Sequence, residues 1–152
     1  MMKLSKKTEY ALKALIELAI NHGKGIDVTL ISDIAERENI PPRYLEQILL
    51  RLKNSGILFS KRGVGGGYAL NRPPEEISLG SIIKEVEGPL SSFSIGPGNS
   101  NALDDASSGL NSVMSEVSES VRDILNSISL KDMAKRTLDL IEEKKNVLNY
   151  AI

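Results

Sequence analysis

The sequence contains no cysteine and only one histidine, His22. Without thiols the chain can form no disulfide, and it can hold neither zinc nor an iron–sulfur cluster through thiolates. It also lacks a cysteine nucleophile, and we identify no group of residues that would serve as one. We therefore expect no catalytic residues, no metal site and no cofactor, and we do not expect an enzyme.

Long apolar runs are also absent, since no stretch reaches the roughly 18 residues that a membrane helix needs. We expect neither a transmembrane helix nor a secretory signal, and we place the protein in the cytoplasm without membrane contact. The formal net charge of the 152 residues is only −1, with a slight positive excess in residues 1–90 and a slight negative excess in 91–152. Charge alone therefore does not identify a nucleic-acid-binding protein.

Three short apolar stripes with helical spacing lie before residue 56. The first predicts a helix over about residues 7–21, and the second predicts two helical turns around residues 30–35. Pro41 and Pro42 separate the second helix from a third, which begins at Pro42 because the first helical position needs no N–H donor. Gly56 ends this third helix.

Two β-favouring runs follow, residues 57–62 and 68–72, and the glycine-rich segment between them predicts the tip of a β-hairpin. A fourth helix comes next, with Ser78 placed to cap it. The order helix, helix, turn, helix, hairpin predicts a mainly α fold with a winged helix-turn-helix over residues 1–90.

Residues 91–109 are rich in serine, glycine and asparagine, and this composition predicts a loop or linker. Residues 110–152 predict a helical region, beginning with a long helix over about 110–127. Its apolar residues alternate four and three apart and form one stripe: Leu110, Met114, Val117, Val121, Ile124 and Ile128.

The third predicted helix carries polar side chains opposite its apolar stripe. A rotation of 100° per residue puts Arg43 and Gln47 on the outer face, with Tyr44 and Glu46 beside them. Arginine can pair with guanine, glutamine with adenine, and glutamate with the amino group of cytosine. Any amphipathic helix also turns polar residues outward, so helix three alone does not decide between DNA recognition and a solvated surface.

The hairpin is more specific, because Lys61 and Arg62 before its tip and Arg72 after it are expected to place three cations near the tip. Glycines such as Gly65 and Gly66 allow a backbone to approach a phosphate or a groove floor closely. A phosphate-binding loop of a nucleotide enzyme is disfavoured because such a loop opens a helix and carries Lys-Ser/Thr. A purely structural hairpin explains one or two glycines but not four within five residues with these flanking cations.

Several ordered segments resemble the Rrf2 family of bacterial transcription regulators, which includes iron–sulfur regulators, nitric-oxide sensors and cysteine-metabolism repressors. The resemblance continues more loosely through residues 113–134, so that it covers most of the chain. The segments that carry it are Tyr10–Ala19, Ile34–Ala35, Ile40–Leu49, Arg62–Tyr68, Ile77–Gly80 and Val86–Leu90.

This resemblance implies a homodimer whose fifth helix packs against its mate and whose two winged domains bind an imperfect palindrome in double-stranded DNA. By position, the recognition contacts would be Arg43, Tyr44, Glu46 and Gln47, and Arg62 would reach the minor groove. Many relatives have a small residue where this chain has Arg43, so we expect a different base preference. An apolar stripe on an isolated helix needs a partner surface, which agrees with a two-fold dimer.

The main departure from the family lies in its sensor. Relatives that bind a cluster carry three cysteines between the wing domain and the dimer helix, and this chain has none. Ser108 lies about where the last of those cysteines falls. We expect a cluster-free regulator, most simply a repressor, whose signal is a small molecule or a partner protein.

The alternative is a winged-helix module that contacts only proteins. Such a module would have lost its basic wing and recognition residues, and Arg43, Lys61, Arg62 and Arg72 are all present. The sequence therefore favours DNA binding over a purely protein-contacting role.

Overall fold

The computed structural model describes residues 3–88 and 105–151. Within them it has six α-helices, one 3₁₀ turn at Pro74–Glu76 and one antiparallel sheet of two strands. The elements are α1 (Lys6–Gly23), α2 (Ile31–Glu38), α3 (Pro42–Asn54), β1 (Leu58–Lys61), β2 (Gly67–Leu70), α4 (Leu79–Glu87), α5 (Asp105–Ser127) and α6 (Leu130–Tyr150). The predicted winged helix-turn-helix followed by a long C-terminal helix is confirmed.

Local chemistry sets the helix ends. Ser78 caps α4 by accepting a hydrogen bond from the Ser81 amide at 3.1 Å, as its position before the apolar stripe predicts. The turn between α2 and α3 depends on Asn39, which adopts a left-handed conformation with φ of 52°. Pro42 then occupies the first turn of α3, where its missing N–H costs nothing.

The core of the molecule forms around α1. Leu15 of α1, Leu45 and Leu49 of α3, Ile82 of α4 and Leu130 of α6 are all fully buried in one cluster. Burying an aliphatic side chain of this size contributes about 1.5–3 kcal/mol. Helix α6 therefore belongs to the core at its N-terminal end, although its last two turns are exposed.

The start of α1 is held by the end of α4. The Glu87 carboxylate accepts hydrogen bonds from the hydroxyls of Ser5 and Thr8, the latter at 2.5 Å. The hydrogen bond from Ser5, followed by that from Thr8, holds the pKa of Glu87 below its ordinary value. Helix α1 is also tied to α2, because Arg37 Nη1 lies 2.6 Å from Glu17 Oε1.

The junction between α5 and α6 is fastened to the segment that precedes α4. The Leu130 amide donates to the Ile77 carbonyl at 2.7 Å, and the Leu79 amide donates to the Ile128 carbonyl at 2.8 Å. Gly80 permits a close approach here, since a Cβ at this position would lie 2.1 Å from Asn126 Oδ1. These contacts fix the C-terminal end of α5, whereas no residue of α5 is buried.

The long helix differs from its predicted bounds at its N-terminal end. Helix α5 begins at Asp105, so residues 105–109 are helical rather than part of the predicted loop. Asp105 lies in the first turn, where a carboxylate favours the positive end of the helix dipole. The rest of the predicted loop, residues 91–104, lies outside the described residues.

No helix in residues 3–88 or 105–151 is long and apolar enough to cross a membrane.

Candidate nucleic-acid interface

Helix α3 separates its buried and exposed faces as the sequence predicts. The side chains of Leu45, Ile48, Leu49 and Leu52 are buried against the core. The four predicted recognition residues, Arg43, Tyr44, Glu46 and Gln47, are all exposed. We call α3 the recognition helix, because its outer face presents groups that can hydrogen-bond to the edges of bases.

One of these four side chains is held in place by α1. The Tyr44 ring lies edge-on to Tyr10, with ring centroids 5.7 Å apart and an interplanar angle of 82°. Lys6 Nζ lies 5.8 Å from the centroid of the Tyr10 ring. Edge-to-face aromatic pairs are favourable beyond their buried area, so this contact limits the positions that Tyr44 adopts.

The outer face of α3 includes an apolar residue that the sequence interpretation missed. Leu50 is exposed and lies one full heptad after Arg43, which puts both on the same side of the helix. An apolar side chain on such a face can contact the methyl group of thymine. The signal in the sequence was a leucine outside the buried stripe.

Strands β1 and β2 form the hairpin that we call the wing, residues 58–70. Their register pairs Leu58 with Leu70 at the base and Lys61 with Gly67 at the tip. Lys61 and Arg62 are both exposed where β1 enters the tip. The two cations therefore lie at the exposed tip of the wing, where they can contact a negatively charged partner.

The glycines of the tip do two different things. Gly65 is exposed and has a φ of 75°, which a glycine adopts without strain. Gly66 is buried, and its amide already donates to the Gly63 carbonyl at 2.9 Å. A Cβ at Gly66 would lie 2.4 Å from the Lys61 carbonyl oxygen, so the turn needs a glycine at this position. A contact of Gly65 and Gly66 with DNA stays a prediction.

The position of Arg72 also differs from the prediction. We expected it near the tip, but β2 runs from the tip at Gly67 to the base at Leu70, and Arg72 lies beyond the base. At about 3.3 Å per residue, this puts Arg72 roughly 17 Å along the chain from the tip. The cations of the tip are therefore Lys61 and Arg62.

Two residues of the wing region were not singled out from the sequence. Val64 stands fully exposed between Gly63 and Gly65 at the apex of the tip. Thr29, which precedes α2, pairs with Tyr68 of β2 as an isolated bridge. A strand is recognised in a sequence by apolar and polar residues that alternate over several positions. Thr29 pairs as a single residue, so the sequence does not reveal it.

The predicted dimerisation stripe lies on the outside of the described chain. Leu110, Val117 and Ile124 are exposed, and Met114, Val121 and Ile128 are half-buried. A helix of 23 residues is about 34 Å long, and an isolated helix gains little stability in water. The exposed members of the stripe, Leu110, Val117 and Ile124, therefore form an apolar surface that residues 3–88 and 105–151 leave uncovered.

The chain matches a known family of transcriptional regulators. Residues 4–136 match the family Rrf2, described as "Iron-dependent Transcriptional regulator". The chain is 36% identical over 136 residues to the HTH-type transcriptional regulator CymR of Bacillus subtilis, which covers 90% of this chain and 92% of CymR. It is 33% identical to the regulator IscR of Cereibacter sphaeroides, with 90% of each chain covered.

Solved structures agree with the sequence matches. The fold is similar to that of CymR (YrzC), the global cysteine regulator of B. subtilis, with a TM-score of 0.75 and 34% identity over 90% of this chain and 98% of that one. It is also similar to T. potens IscR, with a TM-score of 0.71 and 32% identity over 90% of this chain and 88% of that one. These named relatives are transcriptional regulators and not enzymes.

Proposed function

This chain belongs to the Rrf2 family of DNA-binding transcriptional regulators, and from that premise we propose that it is a homodimeric repressor of a palindromic operator. In this proposal the recognition helix reads base edges in the major groove, and the tip of the wing contacts the backbone and the minor groove. The dimer acts in the cytoplasm by occupying promoter DNA.

The observation that carries the proposal is the division of α3 into two faces. Leu45, Ile48, Leu49 and Leu52 are buried, which fixes the helix rigidly to the core. Arg43, Glu46 and Gln47 are exposed on the other side, where their donors and acceptors can meet bases. A recognition element needs this rigidity because a loosely held helix pays an ordering cost when it binds.

Dimerisation is supported by the exposed stripe of α5. Two copies related by a two-fold axis would bury the same apolar surface on each subunit. A two-fold protein presents two recognition helices in inverted orientation, so its preferred site is an inverted repeat. The proposal therefore links the stripe on α5 to the symmetry of the operator.

The iron named in the family description does not fit the residues of this chain. The sequence has no cysteine, and residues 3–88 and 105–151 contain no group of three His, Asp or Glu side chains that could hold a metal. An iron–sulfur cluster needs thiolate or similar ligands in a group. We therefore propose that the protein responds to a small molecule or a partner protein rather than to iron.

Single substitutions separate the two parts of the interface, with the tightest duplex selected from a random DNA pool as the probe. Arg43→Ala or Gln47→Ala should cost about 1–3 kcal/mol and relax specificity at one position of each half-site. Lys61→Ala should weaken binding to all sequences and reduce the salt dependence by about one counterion per subunit. Arg62→Ala should cost most where A·T pairs narrow the minor groove.

The control is Lys84→Ala, which removes an exposed cation from α4, an element outside both the recognition helix and the wing. It should leave affinity and specificity unchanged. If none of the four interface substitutions changes affinity or its salt dependence, the protein does not bind DNA through this surface. The protein-contact module would then be the better account.

A further inference from the structure

Thr29 connects the wing to the helix-turn-helix. Its amide donates to the Tyr68 carbonyl at 2.9 Å, and the Tyr68 amide donates to the Thr29 carbonyl at 2.9 Å. Strand β2 is therefore hydrogen-bonded to β1 on one edge and to Thr29 on the other. Since Thr29 lies two residues before α2 begins, the contact joins the wing to the start of the helix-turn-helix.

A buried side-chain hydrogen bond holds Thr29 to α1. Asn21, in the last turn of α1, donates from Nδ2 to Thr29 Oγ1 at 2.9 Å. Asn21 is 5% exposed and Thr29 is 6% exposed, so water cannot replace either partner. A buried polar group that loses its partner is costly, and this hydrogen bond therefore favours the observed position of Thr29.

Gly67 allows the backbone of β2 to lie close to the backbone of Thr29. A Cβ at Gly67 would lie 2.2 Å from the Thr29 carbonyl oxygen. Strand β2 can therefore lie against Thr29 only because this position has no side chain. The backbone of the wing and the loop before α2 fit each other over a narrow range of geometries.

From these contacts we propose that Asn21 and Thr29 are positioning residues that set the orientation of the wing relative to the recognition helix. The inference rests on the proposed function, because it requires that Arg62 of the wing contacts DNA. A two-stranded hairpin is only marginally stable by itself, so the third hydrogen-bonding edge limits the motion of the wing. Loosening the contact between Thr29 and β2 weakens the contact of the wing with DNA and leaves the DNA contacts of the recognition helix in place.

A double-mutant cycle tests this role, with the tightest duplex from a random DNA pool as the probe. Thr29→Val keeps the shape of the side chain and removes the acceptor, and Thr29→Ser is the matched control that keeps the hydroxyl. We expect Thr29→Val to weaken binding about tenfold in the unmodified chain, and Thr29→Ser to bind normally. Introduced into the Arg43→Ala variant, Thr29→Val should again weaken DNA binding about tenfold. Introduced into the Arg62→Ala variant, it should weaken binding hardly at all.

A purely structural role would weaken binding equally in all backgrounds, so an equal loss with Arg62→Ala overturns the inference. Normal binding by Thr29→Val overturns it as well. If Arg62→Ala alone leaves affinity intact, the wing contact of the proposed function is refuted, and the positioning role with it. If Thr29→Val does not fold, Asn21→Ala removes the donor instead, and the same pattern across the backgrounds is expected.

Discussion

The exposed stripe of α5 predicts that two aspartates at its centre convert the dimer into a monomer. Val117 and Ile124 are one heptad apart and are 48% and 59% exposed. Full burial of such a side chain contributes about 1.5–3 kcal/mol, so covering the exposed half contributes roughly 0.7–1.5 kcal/mol. A two-fold interface contains each residue twice, and the four side chains together contribute about 3–6 kcal/mol.

Val117→Asp with Ile124→Asp should therefore raise the dissociation constant of the dimer on the order of 10²–10⁴-fold. The measurement is sedimentation equilibrium at micromolar protein, with circular dichroism to check that the winged domain remains folded. Operator binding should weaken together with dimerisation, because one subunit contacts only one half-site.

Ser112→Asp with Ser115→Asp is the matched control, since these exposed serines lie on the opposite side of α5. This variant gains the same charge and should remain a dimer. A monomeric mass for the unmodified protein at micromolar concentration would refute the reasoning. An unchanged dissociation constant in the Val117 and Ile124 variant would refute it equally.

Three further predictions concern the wing, the α1–α4 contact and the absence of thiols. Gly66→Ala should lower the free energy of unfolding by about 1–3 kcal/mol because its Cβ meets the Lys61 carbonyl, whereas Gly23→Ala, which meets nothing within 4 Å, should be tolerated in the same thermal unfolding assay. Because hydrogen bonds lower the pKa of Glu87, its stabilising contribution is present above the usual value of 4.5 and is lost as the pH falls through the lowered pKa. Glu87→Gln should thus destabilise the protein at neutral pH but less in acid, and an equal effect at both would contradict this. Anaerobic reconstitution with iron and sulfide should give no visible absorbance band, and a band stoichiometric with protein would refute the prediction.

Much of the fold follows from local signals in the sequence. Pro42 and Ser78 mark the starts of α3 and α4 because their chemistry suits the first turn of a helix. The exposure of Arg43 and Gln47 follows from the period of the apolar stripe on α3.

The remaining features depend on contacts between distant parts of the chain. Gly65 and Gly66 look alike in the sequence, but the fold exposes Gly65 and buries Gly66. The Lys61 carbonyl lies close to Gly66 only, and Lys61 is on the strand before the tip. Thr29 joins the wing through a single residue, which leaves no pattern to detect. The start of α5 was missed because serine and glycine favour loops by propensity, and propensity is a weak guide for a helix with a charged first turn.

The central claim is that a two-fold dimer reads DNA sequence through α3 and the wing. Selection of bound duplexes from a random pool by the unmodified protein tests it most directly. The account predicts enrichment of an inverted repeat whose half-sites are about one helical turn, or a multiple of one, apart. It also predicts that Gln47→Ala relaxes one symmetric pair of positions within that repeat. Enrichment of no sequence, or of a single half-site without its inverted copy, would contradict the account.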